Sequence, residues 1–190
     1  MSDPCMSNLL DQNNPSRKDD LGRPSLEETI DFSLIRHGNY KWGPYPFFIH
    51  LDRTHRKLTE YGLISEFYTQ VAWLHDILEY TDTTKQELLQ LFPTDIVVTV
   101  ISMTHTNTNR AISNHLIHSY LMFHPEAIYV KLAERIVNTE LYLINNDPKL
   151  ELYKREFLEL KHVCLTGCSD VIVMNMLSEL SSKLFGRTPT

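Results

Sequence analysis

Apolar residues recur every three or four positions along most of the chain from residue 25 onwards, which is the spacing of amphipathic α-helices. Ser25 and Glu28 form a capping-box pattern at the start of the first helix, and Leu26, Ile30 and Leu34 supply its apolar face. We expect this helix to end at the His-Gly pair at residues 37–38.

Similar patterns predict helices along the rest of the chain. The stretch IVVTVI alone is typical of a strand, but no second convincing strand exists to pair with it, so a helix is favoured. The segment ISEFYTQVAWLHDILEY is almost apolar on two faces, and we expect it to form one central buried helix. Eight or nine helices with short loops predict an all-α fold, a single compact helical bundle.

The N-terminal residues differ from the rest of the chain. Residues 1–24 contain polar runs such as DQNN and SRKDD and have little apolar surface to bury, so we expect a mobile leader there. No internal repeat or linker divides the remaining residues, and 25–190 are predicted to form one domain.

Composition and charge narrow the classes of function. The chain has 190 residues, of which 42% are hydrophobic, and 18 basic side chains stand against 24 acidic ones, a net charge of −6. This balance argues against a nucleic-acid partner, since such domains usually carry a basic excess. No run is long enough for a membrane helix, so no membrane partner is expected, and a homo-oligomer stays an option.

Three cysteines, Cys5, Cys164 and Cys168, are an odd number without regular spacing. They make a poor disulfide framework and lack the second pair of a zinc site. With no signal peptide in the first 25 residues, the sequence predicts a soluble protein in the reducing cytoplasm.

The run LHDILEYTDTT holds the first candidate chemistry. On a helix, His75, Asp76 and Glu79 would project from neighbouring faces of one turn. An imidazole beside a carboxylate can bind a divalent metal, although His-Asp pairs are common by chance. His50 lies in an apolar stretch one helix upstream, where it is either a further ligand or a hydrogen-bonded core histidine.

A later segment, VKLAERIVN, places four polar side chains in an otherwise apolar helix. Lys131 and Arg135 are four residues apart, as are Glu134 and Asn138, so two polar stripes run side by side. The stripes belong either to a functional site or to a solvated helix face.

The order of these segments resembles the HD-domain phosphohydrolases. More narrowly, it is similar to the (p)ppGpp (alarmone) hydrolase domain of RelA/SpoT-type proteins and their small stand-alone relatives. RHGNYK and PFFIH resemble that family's His-x-Gly-Gln-x-Arg and Pro-Tyr-Ile-x-His segments. LHDILEYTDTT resembles its Leu-His-Asp-x-x-Glu-Asp-Thr-x-Thr motif, and VKLAERIVN its Val-Lys-Leu-Ala-Asp-x-x-x-Asn motif. The resemblance covers roughly residues 26–164 and implies a metal-dependent phosphohydrolase that releases pyrophosphate from the 3′ position of an alarmone.

The resemblance implies a divalent metal, with Mn²⁺ as the expected ion. Its ligands would be His50, His75, Asp76 and Glu134. Two histidines and two carboxylates leave coordination positions open for water and for a phosphate oxygen. Glu134 stands where the family has aspartate, and its longer side chain can alter the affinity for the metal.

The resemblance also assigns catalytic and substrate-binding roles. Glu79 would orient or deprotonate the attacking water, with Tyr80 at the position of the family's second catalytic acid, an aspartate. Lys41 would offer a positive charge to a phosphate, and Asn138 would contact the nucleoside.

Three functions therefore remain for the chain. The first is alarmone hydrolysis. The second is hydrolysis of another nucleotide, as by a 5′-nucleotidase or a deoxynucleotide triphosphohydrolase, because other HD hydrolases manage with a single glutamate where this chain has Glu79. The third is a degenerate domain that binds a nucleotide without hydrolysing it, since Tyr80 and Glu134 both replace active-site residues.

The remaining histidines are weaker candidates for site residues. His37 is expected to be structural or to line the site, whereas most of four others are expected on the surface: His105, His115, His118 and His124.

Overall fold

The computed structural model describes residues 23–106 and 109–186. Its elements are α1 Leu26–His37, β1 Lys41–Trp42, β2 Tyr45–Pro46, α2 Phe48–Glu60, α3 Glu66–Leu74, α4 Ile77–Tyr80, α5 Lys85–Leu91, α6 Thr94–Met103, α7 Arg110–Leu121, α8 Pro125–Asn145, α9 Lys149–Gly167 and α10 Val171–Phe185. If the four-residue α4 is counted with α3, this described part has nine helices. The predicted all-α fold class is confirmed. Residues 1–22 lie outside the described part of the chain. The mobile leader over residues 1–24 therefore stays a prediction.

Local sequence signals set several helix ends. At α1 the capping box is complete, because Ser25 Oγ accepts from the Glu28 amide at 3.2 Å and Glu28 Oε2 accepts from the Ser25 amide at 2.7 Å. Asp170 caps α10 by accepting from the Val173 amide at 2.8 Å. The stretch IVVTVI lies within α6, so the preference for a helix over a strand is confirmed.

A small hairpin replaces the loop expected after α1. β1 and β2 pair antiparallel, and Gly43 between them has a φ of 58°. A Cβ at this position would lie 3.1 Å from a methyl carbon of Leu141 on α8, so glycine permits both the turn and the close approach. The hairpin thereby holds Trp42 in a buried position against α8 and leaves Lys41 exposed beside it.

The single helix expected over ISEFYTQVAWLHDILEY is wrong, because the structure divides it into α3 and α4. The turn falls at His75 and Asp76, and Asp76 has φ −101° and ψ 0°. His75 Nδ1 donates to the Ala72 carbonyl at 2.7 Å, the acceptor that the Asp76 amide would use in a continuous helix. The side-chain hydrogen bond of His75 thus competes with the helical hydrogen bond of the Asp76 amide for the same carbonyl, and the helix ends there.

The centre of the bundle is α8, which packs against α2, α6, α9 and α10. Most of its length is buried, including the polar stripes of VKLAERIVN: Lys131, Glu134, Arg135 and Asn138. The alternative of a solvated helix face for this segment is therefore wrong. None of the described helices combines the length and the apolar character needed to cross a membrane.

Candidate active site

The motif segments meet at one cavity of about 340 Å³. Lys41 reaches it from β1, His50 from α2, Asp76 and Glu79 from the α3–α4 region, and the polar residues of α8 from the opposite wall. Its basic lining side chains are Lys41, Arg110, Lys131, Arg135 and Lys149, and its acidic ones are Asp76, Glu79, Glu134 and Asp147. Segments that are far apart in sequence therefore contribute to one polar pocket.

Three of the predicted metal ligands form a close group. His50 Nε2 lies 3.1 Å from His75 Nε2 and 3.1 Å from Asp76 Oδ2, and His75 Nε2 lies 3.3 Å from the same oxygen. The two imidazoles are 1% and 3% exposed, and the Asp76 side chain is 15% exposed. The structure thus brings His50, His75 and Asp76 together with their ligand atoms facing one another.

Hydrogen bonding defines the tautomer of His75. The Ala72 carbonyl can only accept, so the proton on this ring must lie on Nδ1. When the imidazole is neutral, its lone pair is then on Nε2, which faces His50 and Asp76. A backbone acceptor on the far nitrogen is the usual support of a metal-bound histidine.

The spacing within this group fits a divalent metal. With bonds of about 2.0–2.2 Å, neighbouring ligand atoms around one octahedral or tetrahedral ion lie about 2.8–3.6 Å apart. The three measured separations, 3.1, 3.1 and 3.3 Å, fall within that range. Two nitrogens and one carboxylate oxygen are also a common donor set for such ions.

Electrostatics favour a positive charge at the same place. Burial by itself raises the pKa of Asp76, but the two imidazoles hold that pKa well below its usual range. Burial lowers the pKa of His75, but the Asp76 carboxylate raises it above its ordinary value. The ionised Asp76 carboxylate thus interacts favourably with positive charge, which a bound divalent cation would supply.

Glu134, the fourth predicted ligand, lines the same cavity but does not join the close group. Its Oε2 lies 2.8 Å from Lys131 Nζ, and its Oε1 accepts from Asn138 Nδ2 at 2.7 Å. Burial by itself raises the pKa of Glu134, but the charges of Lys131 and Arg135 lower it to about 2. The ionised carboxylate is therefore held by α8 itself, and its role as a ligand stays a prediction.

Asn138 occupies the centre of a hydrogen-bond network on the cavity wall. Its Oδ1 accepts from Trp42 Nε1 at 2.7 Å, and its Nδ2 lies 3.3 Å from the Tyr153 hydroxyl. With the bond to Glu134, both ends of the amide are used, so the network defines its orientation. Any substrate contact of Asn138 would share or replace one of these bonds.

Glu79 is a carboxylate with an unusual environment. Burial is the main cause that raises its pKa to about 7, and the negative charge of Asp76 raises it further. Glu79 Oε1 accepts from the His105 amide at 2.6 Å, which ties the carboxylate to the loop after α6. A buried carboxyl that titrates near neutral pH is suited to proton transfer.

Tyr80 follows directly and is 40% exposed at the cavity. Its ring centre lies 4.9 Å from that of Phe47 and 6.0 Å from that of Tyr40. Burial and the neighbouring carboxylates raise the pKa of the phenol, so the hydroxyl stays protonated at neutral pH. Tyr80 therefore offers a neutral donor and an aromatic surface where the related motif has an acid.

Of the four histidines mostly expected on the surface, only His115 is exposed, and His124 is half-buried. His118 is only 6% exposed and donates to Glu159 at 3.0 Å, so a surface position is wrong for it. His105 is half-buried and lines the cavity, and burial is the main cause that lowers its pKa to about 4. His37 is buried and stacks on Phe47 with ring centres 4.6 Å apart.

Two further cavity residues, Arg110 and Tyr153, lie outside every segment that the sequence singled out. Arg110 opens α7, and Tyr153 lies in α9. Neither carries a local signal, because ordinary helix patterns contain both residue types. Only the packing of α7 and α9 against α8 brings them to the site.

Comparison with known proteins gives two curated sequence relatives. The chain is 28% identical over 174 residues to a probable guanosine-3′,5′-bis(diphosphate) 3′-pyrophosphohydrolase of Mycoplasma pneumoniae, matching 84% of the chain and 24% of the relative. It is 26% identical over 141 residues to a guanosine-3′,5′-bis(diphosphate) 3′-pyrophosphohydrolase of Aquifex aeolicus, matching 71% of the chain and 20% of the relative. The chain thus spans a quarter or less of the length of these relatives, and no family model matches it.

Among the solved structures that share the fold is one that is described as a metazoan ortholog of SpoT that hydrolyzes ppGpp and plays a role in starvation responses. The TM-score is 0.66 at 17% sequence identity, and the match covers 86% of this chain and 98% of the other.

The close group generates a direct prediction on metal binding. We expect the purified chain to bind one divalent ion, and His50→Ala or His75→Ala to weaken that binding about 100-fold or more, because each removes one of three converging ligands. Calorimetric titration and elemental analysis measure this.

His55→Ala is the matched control, since it removes an imidazole from the same helix whose Nε2 contacts Thr69 and not the group. Equal loss in the control, or unchanged binding by His50→Ala, would contradict the assignment.

Proposed function

We propose that this chain, whose sequence relatives and fold support the RelA/SpoT-type HD hydrolase family, is a metal-dependent phosphohydrolase that removes pyrophosphate from the 3′ position of guanosine 3′,5′-bis(diphosphate). One observation carries the proposal. His50, His75 and Asp76 form a close group at the edge of a cavity that Glu79 and five basic side chains line. Such a cavity can hold both a divalent ion and a polyphosphate.

The metal centre would be formed by His50, His75 and Asp76, with Glu134 as the proposed fourth ligand and Mn²⁺ as the proposed ion. When bound, the ion would supply Lewis acidity for the attack of water on a phosphorus atom. The chain itself excludes bulk water, because the imidazoles are almost fully buried. It also orients the His75 ligand atom through the hydrogen bond to the Ala72 carbonyl.

Glu79 is proposed to receive the proton of the attacking water. Its pKa of about 7 means that both protonation states are populated near neutral pH, so it can accept a proton and release it again. The short hydrogen bond from the His105 amide keeps one carboxylate oxygen occupied, which leaves the other to act. The environment of Glu79 and the motif both support its proposed role as the general base.

Tyr80 is proposed to act as a neutral hydrogen-bond donor at the rim of the cavity, since its phenol stays protonated. It cannot replace the second carboxylate of the related motif as a base. Lys41 and Asn138 are proposed to contact the nucleotide, Lys41 through its exposed ammonium group and Asn138 through its ordered amide.

We propose a cytoplasmic location; the unpaired Cys164 and Cys168 are compatible with it, because disulfides are rare in the reducing cytosol. Cys164 is fully buried, and no disulfide joins the two. The predicted option of a homo-oligomer stays a prediction.

The proposed activity generates a prediction for Glu79. We expect Mn²⁺-dependent release of pyrophosphate from guanosine 3′,5′-bis(diphosphate), and Glu79→Gln to lower kcat about 100-fold or more while metal content stays unchanged. The amide keeps the shape of the side chain and cannot accept the proton. Steady-state assays of pyrophosphate release and elemental analysis of the variant measure these effects.

Glu66→Gln is the matched control, because Glu66 is exposed at the start of the preceding helix. A wild-type chain that loads metal and yet releases no pyrophosphate from this nucleotide would exclude alarmone hydrolysis. Hydrolysis of another nucleotide and the degenerate, binding-only domain would then remain.

A second candidate function rests on Tyr80. Loss of the acidic residue next to Glu79 favours an HD hydrolase of another nucleotide, a 5′-nucleotidase or a deoxynucleotide triphosphohydrolase. A panel of nucleotides, assayed for phosphate, pyrophosphate and triphosphate, separates the two functions.

For this panel we expect kcat/KM for the alarmone to exceed that for any 5′-nucleotide by about 10-fold or more, because the cavity offers several separate cations to a substrate phosphorylated at both ends. A higher kcat/KM for a 5′-monophosphate or a deoxynucleotide triphosphate would support the second function instead.

A further inference from the structure

Arg110 is a cavity residue that no motif of the related family explains. It begins α7 and pairs side by side with Glu156 of α9, with Nε to Oε1 at 2.6 Å and Nη2 to Oε2 at 2.9 Å. This bidentate geometry is the most directional form of an arginine–carboxylate pair. The clamp uses Nε and Nη2 only, and the side chain is 39% exposed where it lines the cavity.

Glu156 holds a second arginine at the same time. Its Oε2 lies 2.9 Å from Nη1 of Arg135, and its Oε1 accepts from Asn114 Nδ2 at 2.9 Å. Burial by itself raises the pKa of Glu156, but the two guanidinium groups lower it to about 2. One carboxylate thus serves two guanidiniums, and this cluster keeps a net positive charge.

Arg135 is buried, and one of its N–H donors is not used within the described part of the chain. The residue is 3% exposed, and its Nε has no hydrogen-bond partner in the part of the chain that the structure describes. Its guanidinium carbon lies 4.1 Å from the centre of the Tyr153 ring, which fixes the plane of the group. A buried charged donor without a partner is costly unless a ligand supplies one.

Tyr153 connects the arginine cluster to the residues of the proposed nucleotide site. Its hydroxyl lies 3.3 Å from Asn138 Nδ2, and its ring also lies 6.0 Å from the Arg110 guanidinium carbon. All three of these side chains line the cavity. The guanidinium cluster therefore lines the same cavity as His50 and Asp76. Its residues come from α7, α8 and α9, whereas the close group comes from α2 and the α3–α4 region.

The charge of the cavity lining differs from that of the protein. The whole chain has a net charge of −6, whereas five basic and four acidic side chains line the cavity. Burial also keeps Glu79 protonated for part of the time at neutral pH, as its pKa of about 7 indicates. The cavity lining thus carries a small basic excess in an acidic protein.

We infer that Arg110, held in place by Glu156 and backed by Arg135, forms a second anion subsite that binds the 5′-diphosphate, the one that stays on the nucleotide. The inference rests on the proposed function, in which the metal centre holds the 3′-diphosphate that is cleaved. A substrate with two diphosphates needs positive charge in two places, and the guanidinium cluster supplies such a charge without a metal. Arg110 is thereby assigned as a substrate-binding residue, and Glu156 as a positioning residue.

A comparison of two substrates tests the subsite. Guanosine 3′,5′-bis(diphosphate) and the analogue with a 5′-monophosphate and a 3′-diphosphate share the cleaved group and differ only in the 5′-terminal phosphate. For the wild-type chain we expect kcat/KM to favour the first about 10-fold, the typical effect of charge-assisted hydrogen bonds. In Arg110→Gln this preference is expected to fall to about 2-fold or less, through a higher KM with kcat nearly unchanged.

The positioning role of Glu156 has its own readout. Glu156→Gln is expected to lose the same kcat/KM preference for the 5′-diphosphate as Arg110→Gln. The double variant is expected to lose no more, because both changes break the same Arg110–Glu156 pair. Glu159→Gln is the matched control: it lies less than one turn further along α9 and contacts α7 through His118, and it does not line the cavity. We expect it to keep the full preference.

Two results would overturn the inference. One is an Arg110→Gln variant that is folded and retains the wild-type preference, and the other is a Glu159→Gln control that loses it. Because Arg110 is partly exposed, we expect Arg110→Gln to fold. The subsite can therefore be tested with this variant even if Glu156→Gln fails to fold.

Binding separates failure of this inference from failure of the proposed function. Calorimetry with Mn²⁺-loaded Glu79→Gln, which keeps the proposed ligands, gives Kd for both nucleotides with and without Arg110→Gln. If both bind with the expected difference and the wild-type chain hydrolyses neither, only the proposed function fails. If hydrolysis occurs and Kd does not depend on Arg110, only the subsite fails, and if neither nucleotide binds, both fail.

Discussion

Four polar side chains near the middle of α8 are buried, and the need to pair them constrains the elements around them. Lys131 and Glu134 pair within the helix at 2.8 Å, whereas Arg135 needs Glu156 from α9 and Asn138 needs Trp42 from β1. An unpaired charge in such a position would cost several kcal/mol, on the order of 3–5. The hairpin and α9 are thus held where the cavity requires them, and the same pairs give the cavity its walls.

The opposite side of the cavity depends on a break in a helix. Because the His75 ring donates a hydrogen bond to the Ala72 carbonyl, α3 ends and the chain turns at Asp76. The turn brings the Asp76 carboxylate within 3.1 Å of His50, and Glu79 follows in α4, where burial raises its pKa to about 7. Two proposed metal ligands and the proposed base thus come from one short segment, and the proposed anion subsite is built from α7, α8 and α9.

Much of the fold follows from local sequence signals, and much of the site does not. Helical spacing and the Ser25 capping box predict the helices, because these signals act within a few residues. The motif order indicates His50, His75 and Asp76, which the structure brings together. The turn after α3 escapes such reasoning, since the apolar pattern continues through it. Arg110 and Glu156 are 46 residues apart, and their pairing depends on how α7 and α9 pack. The ligand role of Glu134 stays a prediction.

The central claim is that two imidazoles and one carboxylate hold a divalent ion in this cavity. Electron–nuclear double resonance on the Mn²⁺-loaded chain tests it most directly, because it detects nitrogen nuclei bound to the ion. We predict two coupled imidazole nitrogens, reduced to one in His50→Ala and unchanged in the His55→Ala control. A spectrum without nitrogen coupling, or one that His50→Ala leaves unchanged, would contradict the claim.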